Sequence, residues 1–290
     1  MDFGAHLATA GGSYKAAERS KEIGATALQI FTQSPRMWRH PEVDVDAAAR
    51  FRTARTKARI AAVMCHATYL INLGATDDAV YTKSVEALRA TFRAAEAIDA
   101  DGVVFHLGSH LGRGLEAALH QVVPAIQGVL AEADAESTTR LVIENAAGAG
   151  DTMGVALEDI ARVLDELGRP ERMAVCLDTC HLWAGGVDVG DPGRVDELVD
   201  ELDERIGLDR LVCLHVNDTA LPLGAGRDRH ADPGEGLIGR RMGAMLGHPR
   251  LQDLPAITES HGPGGKGPDR STIQALRRLH RAGLRMRVRA

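Results

Sequence analysis

Short apolar runs alternate along this chain with longer segments in which apolar residues recur every three or four positions. The short runs predict buried strands, and the longer spacing is typical of helices that cover one side of a sheet. The predicted strands are Asp2–His6, Ala27–Phe31, Ala62–His66, Gly102–His106, Arg140–Glu144, Met173–Asp178, Leu211–Asn217 and Ala256–Glu259. The predicted helices are Ser13–Ile23, Asp44–Arg59, Asp77–Ile98, Gly114–Ala133, Ala156–Leu167, Pro192–Ile206, Gly239–Leu246 and Asp269–Arg281.

Eight successive strand–helix units favour an α/β protein whose parallel sheet closes into a (β/α)8 barrel, the TIM barrel. An open doubly wound sheet is the alternative, but no Gly-x-Gly-x-x-Gly turn follows the first strand. The length of 290 residues suits one barrel, and we find no linker or low-complexity tract. We therefore predict a single domain over residues 1–290. The long connection Asn217–Gly239 is rich in Gly and Asp, and its length indicates a functional loop.

Composition and charge narrow the class of protein. The four cysteines form no Cys-x-x-Cys pair, so neither a thiolate zinc site nor a redox motif is indicated. No apolar run approaches the ~18 residues of a membrane span, and the N-terminus lacks a signal-peptide pattern. We therefore expect a cytoplasmic protein that does not contact membranes. The net charge of −6 argues against a simple binder of polyanions.

Metal-binding side chains stand at the ends of the later predicted strands and in the seventh loop. They are His66, His106, Glu144, Asp178, His181, His215, Asp228, His230 and Glu259. Each one alone could equally be a hydrogen-bonded core residue or a turn residue. In a barrel, however, all the strands end at one face, where barrel active sites are built. Nine ligands are too many for one or two ions, and they suit three ions that share a bridging carboxylate.

The mixture of imidazoles and carboxylates favours zinc, with Mn or Fe as the alternative at one site. Mg and Ca prefer sites made of oxygen ligands alone. His6, His110 and His261 lie near the same face, and we expect them to contact ligands or substrate. Strand alternation puts Cys176 and Cys213 one layer below the ligands, as small core residues.

Seven stretches of the chain together resemble endonuclease IV, the family of apurinic/apyrimidinic DNA-repair nucleases. They are Gly4-Ala5-His6 with Gly11-Gly12, His66-Ala67-Thr68-Tyr69-Leu70-Ile71-Asn72-Leu73-Gly74, His106-Leu107-Gly108-Ser109-His110, Ile143-Glu144-Asn145, Leu177-Asp178-Thr179-Cys180-His181, His215-Val216-Asn217-Asp218, and Asp228-Arg229-His230 with Gly234-Glu235-Gly236-Leu237-Ile238-Gly239. The resemblance spans nearly the whole chain in the same order. It implies three zinc ions per chain and hydrolysis of the phosphodiester 5′ to abasic sites in duplex DNA.

The products implied are a 3′ hydroxyl and a 5′-deoxyribose phosphate, and the resemblance also implies trimming of blocking groups from 3′ ends. It assigns the ligands to three sets, with Glu144 and Glu259 as the catalytic carboxylates. The sets are His66, His106 and Glu144 for the first ion; Glu144, Asp178, His215 and Glu259 for the second; and His181, Asp228 and His230 for the third.

The loop Thr32–His40 combines basic and large apolar side chains, as a minor-groove wedge does. The resemblance implies that Arg36 and Tyr69 enter the DNA stack, and Met37 stands where it could join them. The alternative is that Met37 and Trp38 simply pack over the barrel edge. Met37 departs from the family, where Gln is common after the arginine. Leu107, where Pro is usual, and the Gly-rich run Ser260–Pro268 are further departures, and none of them removes a ligand.

Three divalent ions would offset the negative charge that otherwise disfavours DNA binding. The segment from Arg270 to Arg289 carries seven Arg and no acidic residue, and it contacts either phosphate or solvent. We expect a monomer with no protein partner.

Two other functions are open. A sugar isomerase or epimerase on a similar barrel would bind one metal through Glu144, Asp178, His215 and Glu259 alone. That chemistry leaves the other five ligands without a role. A DNA-binding module without enzymatic activity would give no reason for nine ligands at one face.

Overall fold

Eight parallel strands close into a barrel in the computed structural model, which describes residues 1–40 and 43–287. The barrel strands are β1 (Asp2–His6), β2 (Ala27–Phe31), β3 (Ala62–His66), β4 (Gly102–Phe105), β5 (Arg140–Glu144), β6 (Met173–Asp178), β7 (Leu211–His215) and β10 (Pro255–Thr258). The order around the barrel is β1-β10-β7-β6-β5-β4-β3-β2, and β1 pairs with both β10 and β2. The predicted TIM barrel is therefore confirmed.

Helices follow the strands and cover the outside of the barrel. They are α1 (Ser13–Ile23), α2 (Val45–Ala58), α3 (Asp78–Ala97), α4 (Leu115–Ala131), α5 (Leu157–Glu166), α6 (Thr179–Ala184), α7 (Pro192–Arg205), α8 (Gly243–Leu246) and α9 (Arg270–Arg287). Aspartates cap the first turns of several helices. The side chains of Asp44, Asp77 and Asp191, for example, accept hydrogen bonds from free backbone N–H groups there. None of the described helices combines the length and the apolar character that a bilayer span needs.

Some elements differ from the sequence prediction. Strand β7 ends at His215 rather than Asn217, because the Asn217 backbone N–H turns to the hydroxyl of Thr179. The short helix α6 lies in a segment for which the sequence predicts neither a strand nor a helix. The predicted helix Gly239–Leu246 is a 3-10 turn, Gly239–Met242, followed by α8. Arg289, the last of the seven C-terminal arginines, lies outside the described residues.

Two apolar layers fill the molecule. A small inner cluster fills the barrel, and it consists of Ala27, Met64, Val104, Val142, Ala174, Cys176, Cys213 and Ile257. The larger layer lies between the strands and the helices. The two cysteines are thus buried core residues, as predicted. Gly4 lets β1 approach β2 closely, since a Cβ at this position would lie 2.3 Å from the backbone oxygen of Ala27.

Two short strands shape the long loop after β7. Strands β8 (Asp218–Thr219) and β9 (His230–Ala231) pair antiparallel, with Asp218 opposite Ala231 and Thr219 opposite His230. The pairing folds the far part of the loop back towards the end of β7. It therefore returns His230 to the barrel face at which the strands end, which we call the C-terminal face.

Candidate metal centre

The nine predicted ligand residues all lie at or beyond the ends of strands, at the C-terminal face. Four of them are the last residues of β3, β5, β6 and β7, namely His66, Glu144, Asp178 and His215. His106 and Glu259 follow β4 and β10 directly. His181 lies on α6, while Asp228 and His230 belong to the loop after β7. Three clusters of these side chains can be distinguished.

The first cluster joins His66, His106 and Glu144. Atom Oε2 of Glu144 lies 3.2 Å from Nε2 of His66 and 3.3 Å from Nε2 of His106. Glu144 and His66 are almost fully buried, whereas His106 is partly exposed. A carboxylate and two imidazole nitrogens thus converge on one point that is open to the C-terminal face.

The second cluster shares Glu144 with the first. Its other oxygen, Oε1, lies 2.8 Å from Nδ1 of His215. The same nitrogen faces Oε2 of Glu259 at 3.4 Å and Oδ2 of Asp178 at 4.0 Å. Three carboxylates around one imidazole nitrogen repel one another unless positive charge lies between them.

The third cluster contains His181, Asp228 and His230. Oδ2 of Asp228 lies 3.4 Å from Nε2 of His181, and its Oδ1 lies 2.9 Å from Nε2 of His230. Asp178 also reaches this cluster, with Oδ2 3.7 Å from the same nitrogen of His230. The thiol of Cys180 lies beside it and contacts Oδ1 of Asp228 at 3.7 Å.

The spacing of these atoms suits metal ions. Ligand atoms about 2.0–2.2 Å from a tetrahedral ion are about 3.2–3.6 Å apart, and several of the His–carboxylate distances fall in that range. A metal-binding imidazole also needs a hydrogen-bond acceptor on its other nitrogen. Nδ1 of His66 donates to the Ala67 carbonyl at 2.7 Å, and Nδ1 of His181 to that of Asn145 at 2.9 Å. The residues present therefore fit zinc in both spacing and donor chemistry.

The electrostatics favour positive charge here. Burial alone would lower the pKa of His181, but Asp178 and Asp228 raise it to about 10. Burial would raise the pKa of Glu144, but His215 and His106 hold it well below its usual value. Glu144 is thus a carboxylate at neutral pH. Burial lowers the pKa of His106 to about 4, so this ligand is neutral at pH 7. Metal ions would displace the proton that His181 otherwise holds, so metal binding here depends on pH.

Two buried amides hydrogen-bond to the carboxylates, and no sequence pattern predicts a role for either of them. Nδ2 of Asn217 donates to Oδ2 of Asp178 at 2.6 Å and lies 3.3 Å from Oε2 of Glu259. Nε2 of Gln29 donates to Oε1 of Glu259 at 2.6 Å. The sequence does contain a signal for Gln29, which is a polar residue inside the apolar run Ala27–Phe31. A polar side chain in a buried strand needs hydrogen-bond partners.

The remaining histidines near this face differ in their contacts. His6 approaches the second cluster, with Nδ1 3.5 Å from Oε1 of Glu259. His110 instead accepts a hydrogen bond from the Gly114 backbone N–H within its own loop. His261 is exposed.

The loop that carries Asp228 and His230 is fixed by one buried carboxylate. Asp218 accepts hydrogen bonds at 2.8–3.0 Å from five backbone N–H groups. The donors are Thr219, Gly234, Gly236, Ile238 and Gly239. Asp218 thus ties the far part of this loop to the end of β7, although it is not one of the predicted ligands.

The predicted DNA-contacting residues lie on two neighbouring loops of the C-terminal face. Met37 and Tyr69 expose 54% and 58% of their surface, although both are large and apolar, and Arg36 is exposed beside them. Trp38 instead packs against the core. The packing alternative therefore describes Trp38 but not Met37.

The two loops are joined by a hydrogen bond. The buried hydroxyl of Thr68 donates to the Pro35 carbonyl at 2.7 Å. The Tyr69 ring packs edge-on against Phe31, with centroids 5.3 Å apart. The hydrogen bond thus joins the two loops, and the ring contact packs Tyr69 against the end of β2.

Other large apolar residues are exposed on the same face. Leu111 lies in the loop after β4, and Leu223 and Leu237 lie in the loop after β7, each about half exposed. Their exposure could not be predicted from the sequence, because one leucine in a loop forms no pattern. Together with Met37 and Tyr69, they place exposed apolar side chains on several loops of the face that carries the three clusters.

Comparison with known proteins yields matches over nearly the whole chain. Residues 17–282 match a family model described as a xylose isomerase-like TIM barrel. The chain is 36% identical over 279 residues to a probable endonuclease 4 of Halothermothrix orenii, covering 96% of this chain and 100% of that relative. It is 37% identical over 278 residues to a probable endonuclease 4 of Chloroflexus aurantiacus, covering 96% and 97%.

Solved structures show the same relationship. Endonuclease IV from Thermus thermophilus superposes with a TM-score of 0.83 at 32% identity, covering 99% of this chain and 100% of that one. A D-tagatose 3-epimerase-like protein superposes with a TM-score of 0.70 at 17% identity, covering 99% and 98%. At that identity the second match shows a common fold alone.

Proposed function

Since this chain belongs to the endonuclease IV family of xylose isomerase-like TIM barrels, we propose that it is an AP endonuclease that uses three zinc ions. It hydrolyses the phosphodiester 5′ to abasic sites in duplex DNA, leaving a 3′ hydroxyl and a 5′-deoxyribose phosphate. Trimming of blocking groups at 3′ ends belongs to the same proposal. The observation that carries it is the convergence of five imidazoles and four carboxylates in three adjoining clusters.

The proposed ligand sets follow the three clusters. His66, His106 and Glu144 hold the first ion. Glu144 extends to the second, with Asp178, His215 and Glu259. His181, Asp228 and His230 hold the third, and the nearness of Asp178 to His230 links the second and third sets.

Different residues of the chain have different roles in phosphodiester hydrolysis. When bound, zinc ions supply a nucleophile from water at neutral pH and neutralise the phosphate oxygens. Glu144 reaches the first and second clusters with different oxygens and thereby fixes their separation. Asn217 orients Asp178 and Glu259. Arg36, Met37 and Tyr69 fill the space that a displaced nucleotide leaves in the duplex.

A sugar isomerase or epimerase is less well supported. Its single metal would need only the second cluster, which consists of Glu144, Asp178, His215 and Glu259. The five ligands of the other two clusters would then have no role. Exposed Met37 and Tyr69 would also have no reason to surround a site for a small sugar.

Incision of a defined duplex tests the proposal. We expect the zinc-loaded protein to nick an oligonucleotide duplex carrying one tetrahydrofuran abasic analogue, on the 5′ side of the analogue. Excess chelator should abolish nicking, because the ligands then lack the ions that activate water. The undamaged duplex is the control. Metal analysis of the same sample should give about three ions per chain, and a reproducible single ion without nicking would instead support the isomerase.

Replacing Arg36 by Ala should weaken DNA binding while the metal content stays unchanged. The guanidinium is exposed and contacts none of the three clusters, so its loss removes a cationic contact with DNA only. We expect the slope of log Kd against log salt concentration to become shallower by about one unit if one phosphate contact is lost. Titrations at several salt concentrations measure this slope.

The control for that experiment is Arg194→Ala, which removes an exposed arginine of α7 that pairs with Glu197. Loss of zinc from Arg36→Ala would show that the assignment of Arg36 to DNA contact is wrong.

We further propose that the protein is a cytoplasmic monomer that needs no protein partner for incision.

A further inference from the structure

Gln29 is a fully buried amide in the middle of β2, beneath the second cluster. It reaches across the barrel from β2 to residues at the ends of β7 and β10. All of its polar atoms have partners there. Oε1 lies 2.8 Å from Nε2 of His215, while Nε2 lies 2.6 Å from Oε1 of Glu259 and 3.1 Å from Nδ1 of His6.

The orientation of this amide follows from its partners. The Glu259 carboxylate can only accept hydrogen bonds, so the NH2 group of Gln29 must face it. The amide oxygen then faces Nε2 of His215, and an oxygen at 2.8 Å requires a hydrogen on that nitrogen. Through Gln29, the negative charge of Glu259 thus keeps a hydrogen on Nε2 of His215, so a metal ion can replace only the hydrogen on Nδ1.

The consequence is found on the other side of the imidazole ring. A neutral His215 that is protonated at Nε2 has its lone pair on Nδ1. That nitrogen faces Glu144 at 2.8 Å and Glu259 at 3.4 Å. The lone pair therefore points to the centre of the second cluster, where a metal ion would bind.

We infer that Gln29 is a positioning residue that selects Nδ1 of His215 as the metal-binding nitrogen and orients Glu259 towards the same ion. This inference rests on the proposed metal centre. Gln29 itself touches neither ion nor substrate. One amide thus orients two ligands that come from different strands.

The test begins with Gln29→Met, which keeps a similar volume and removes both polar groups. We expect the second cluster to bind zinc about 10–100-fold more weakly, as is typical when the partner of a metal-binding histidine is lost. Competition with a chromogenic zinc chelator measures this loss without any assay of incision. Far-UV circular dichroism confirms that the variant is folded.

Gln252→Met is the matched control. Oε1 of Gln252 accepts from Nε2 of His280 at 2.7 Å, and its Nε2 donates to the carbonyls of Leu246 and His248. It therefore bonds a histidine just as Gln29 does, but away from the three clusters. Its zinc retention should equal that of the wild type.

A second measurement detects the proton on Nε2 of His215 directly. In zinc-saturated protein with 15N-labelled histidine, His215 should show a proton on Nε2 in the wild type, and this signal should be lost or shifted in Gln29→Met. Gln29→Glu keeps an acceptor for His215 but places a carboxylate against Glu259. It should therefore keep the Nε2 proton signal while it retains zinc less well.

The outcomes separate this inference from the proposed function. If Gln29→Met retains zinc and the His215 signal as the wild type does, the inference is overturned. If Gln29→Glu loses the His215 signal although it is folded and saturated with zinc, the selection of the nitrogen is overturned. If Gln29→Met shows both effects but the zinc-loaded wild type does not nick abasic DNA, the proposed function is overturned and the inference stands.

Discussion

Glu144→Gln should reduce incision of abasic duplex by at least about 10³-fold, the upper range for loss of a single preorganised group in an active site. Glutamine has the shape of glutamate but no charge. Oε2 of Glu144 faces the nitrogens of His66 and His106, and Oε1 faces that of His215. An amide at this position would present its one oxygen to one of the two clusters and its NH2 group to the other.

We therefore expect the metal content of Glu144→Gln to fall from about three ions per chain to two or fewer. Metal analysis and single-turnover nicking measure the two effects separately. Glu18→Gln, on the exposed side of α1, is the control with the same change in charge. Nicking at the wild-type rate by Glu144→Gln would falsify the role of Glu144 as the bridge between the first and second clusters.

Asp218→Ala should release the loop after β7 and remove the third ion. The side chain is fully buried and accepts five backbone hydrogen bonds, and alanine accepts none of them. Hydrogen bonds to a charged acceptor contribute about 1.5 kcal/mol each or more. Losing only two of them should lower hydrogen-exchange protection of the amides from 234 to 239 by about 10²-fold.

Hydrogen exchange followed by mass spectrometry locates this change, and metal analysis should give one ion fewer. The control is Asp191→Ala, because Asp191 also accepts a backbone N–H, at the start of α7, but lies outside this loop. It should destabilise the protein by about 1 kcal/mol and keep all the ions. Wild-type protection from 234 to 239 in Asp218→Ala would contradict the anchoring role.

The sequence predicted the barrel well because its signals are local. Each strand is a short apolar run, and the caps at Asp44, Asp77 and Asp191 mark helix starts within one turn. The grouping of nine possible ligands at one face also followed from topology, since parallel barrel strands end together. The barrel and the grouping of the ligands could therefore be predicted without knowledge of any distance between side chains.

The features that escaped prediction depend on contacts between distant parts of the chain. Gln29 contacts His215 across the barrel, although the two residues are 186 positions apart in the sequence. No periodic pattern in the sequence predicts a contact of that kind. Helix α6 has only six residues, too few for a helical pattern, and it forms because Asp178 caps its first N–H groups. The different exposures of Met37 and Trp38 likewise depend on which side chain the core beneath them can accept.

If Met37 and Tyr69 contact DNA as proposed, the hydrogen bond from Thr68 to Pro35 has a consequence for lesion search. Because it ties the loops of Met37 and Tyr69 together, the two side chains form one probe rather than two independent ones. Much of the entropy of ordering them is lost when the chain folds, so less is lost at each encounter with DNA. Under the proposed function, such a probe would test each base pair for weakness, since intact stacking resists it and a missing base does not.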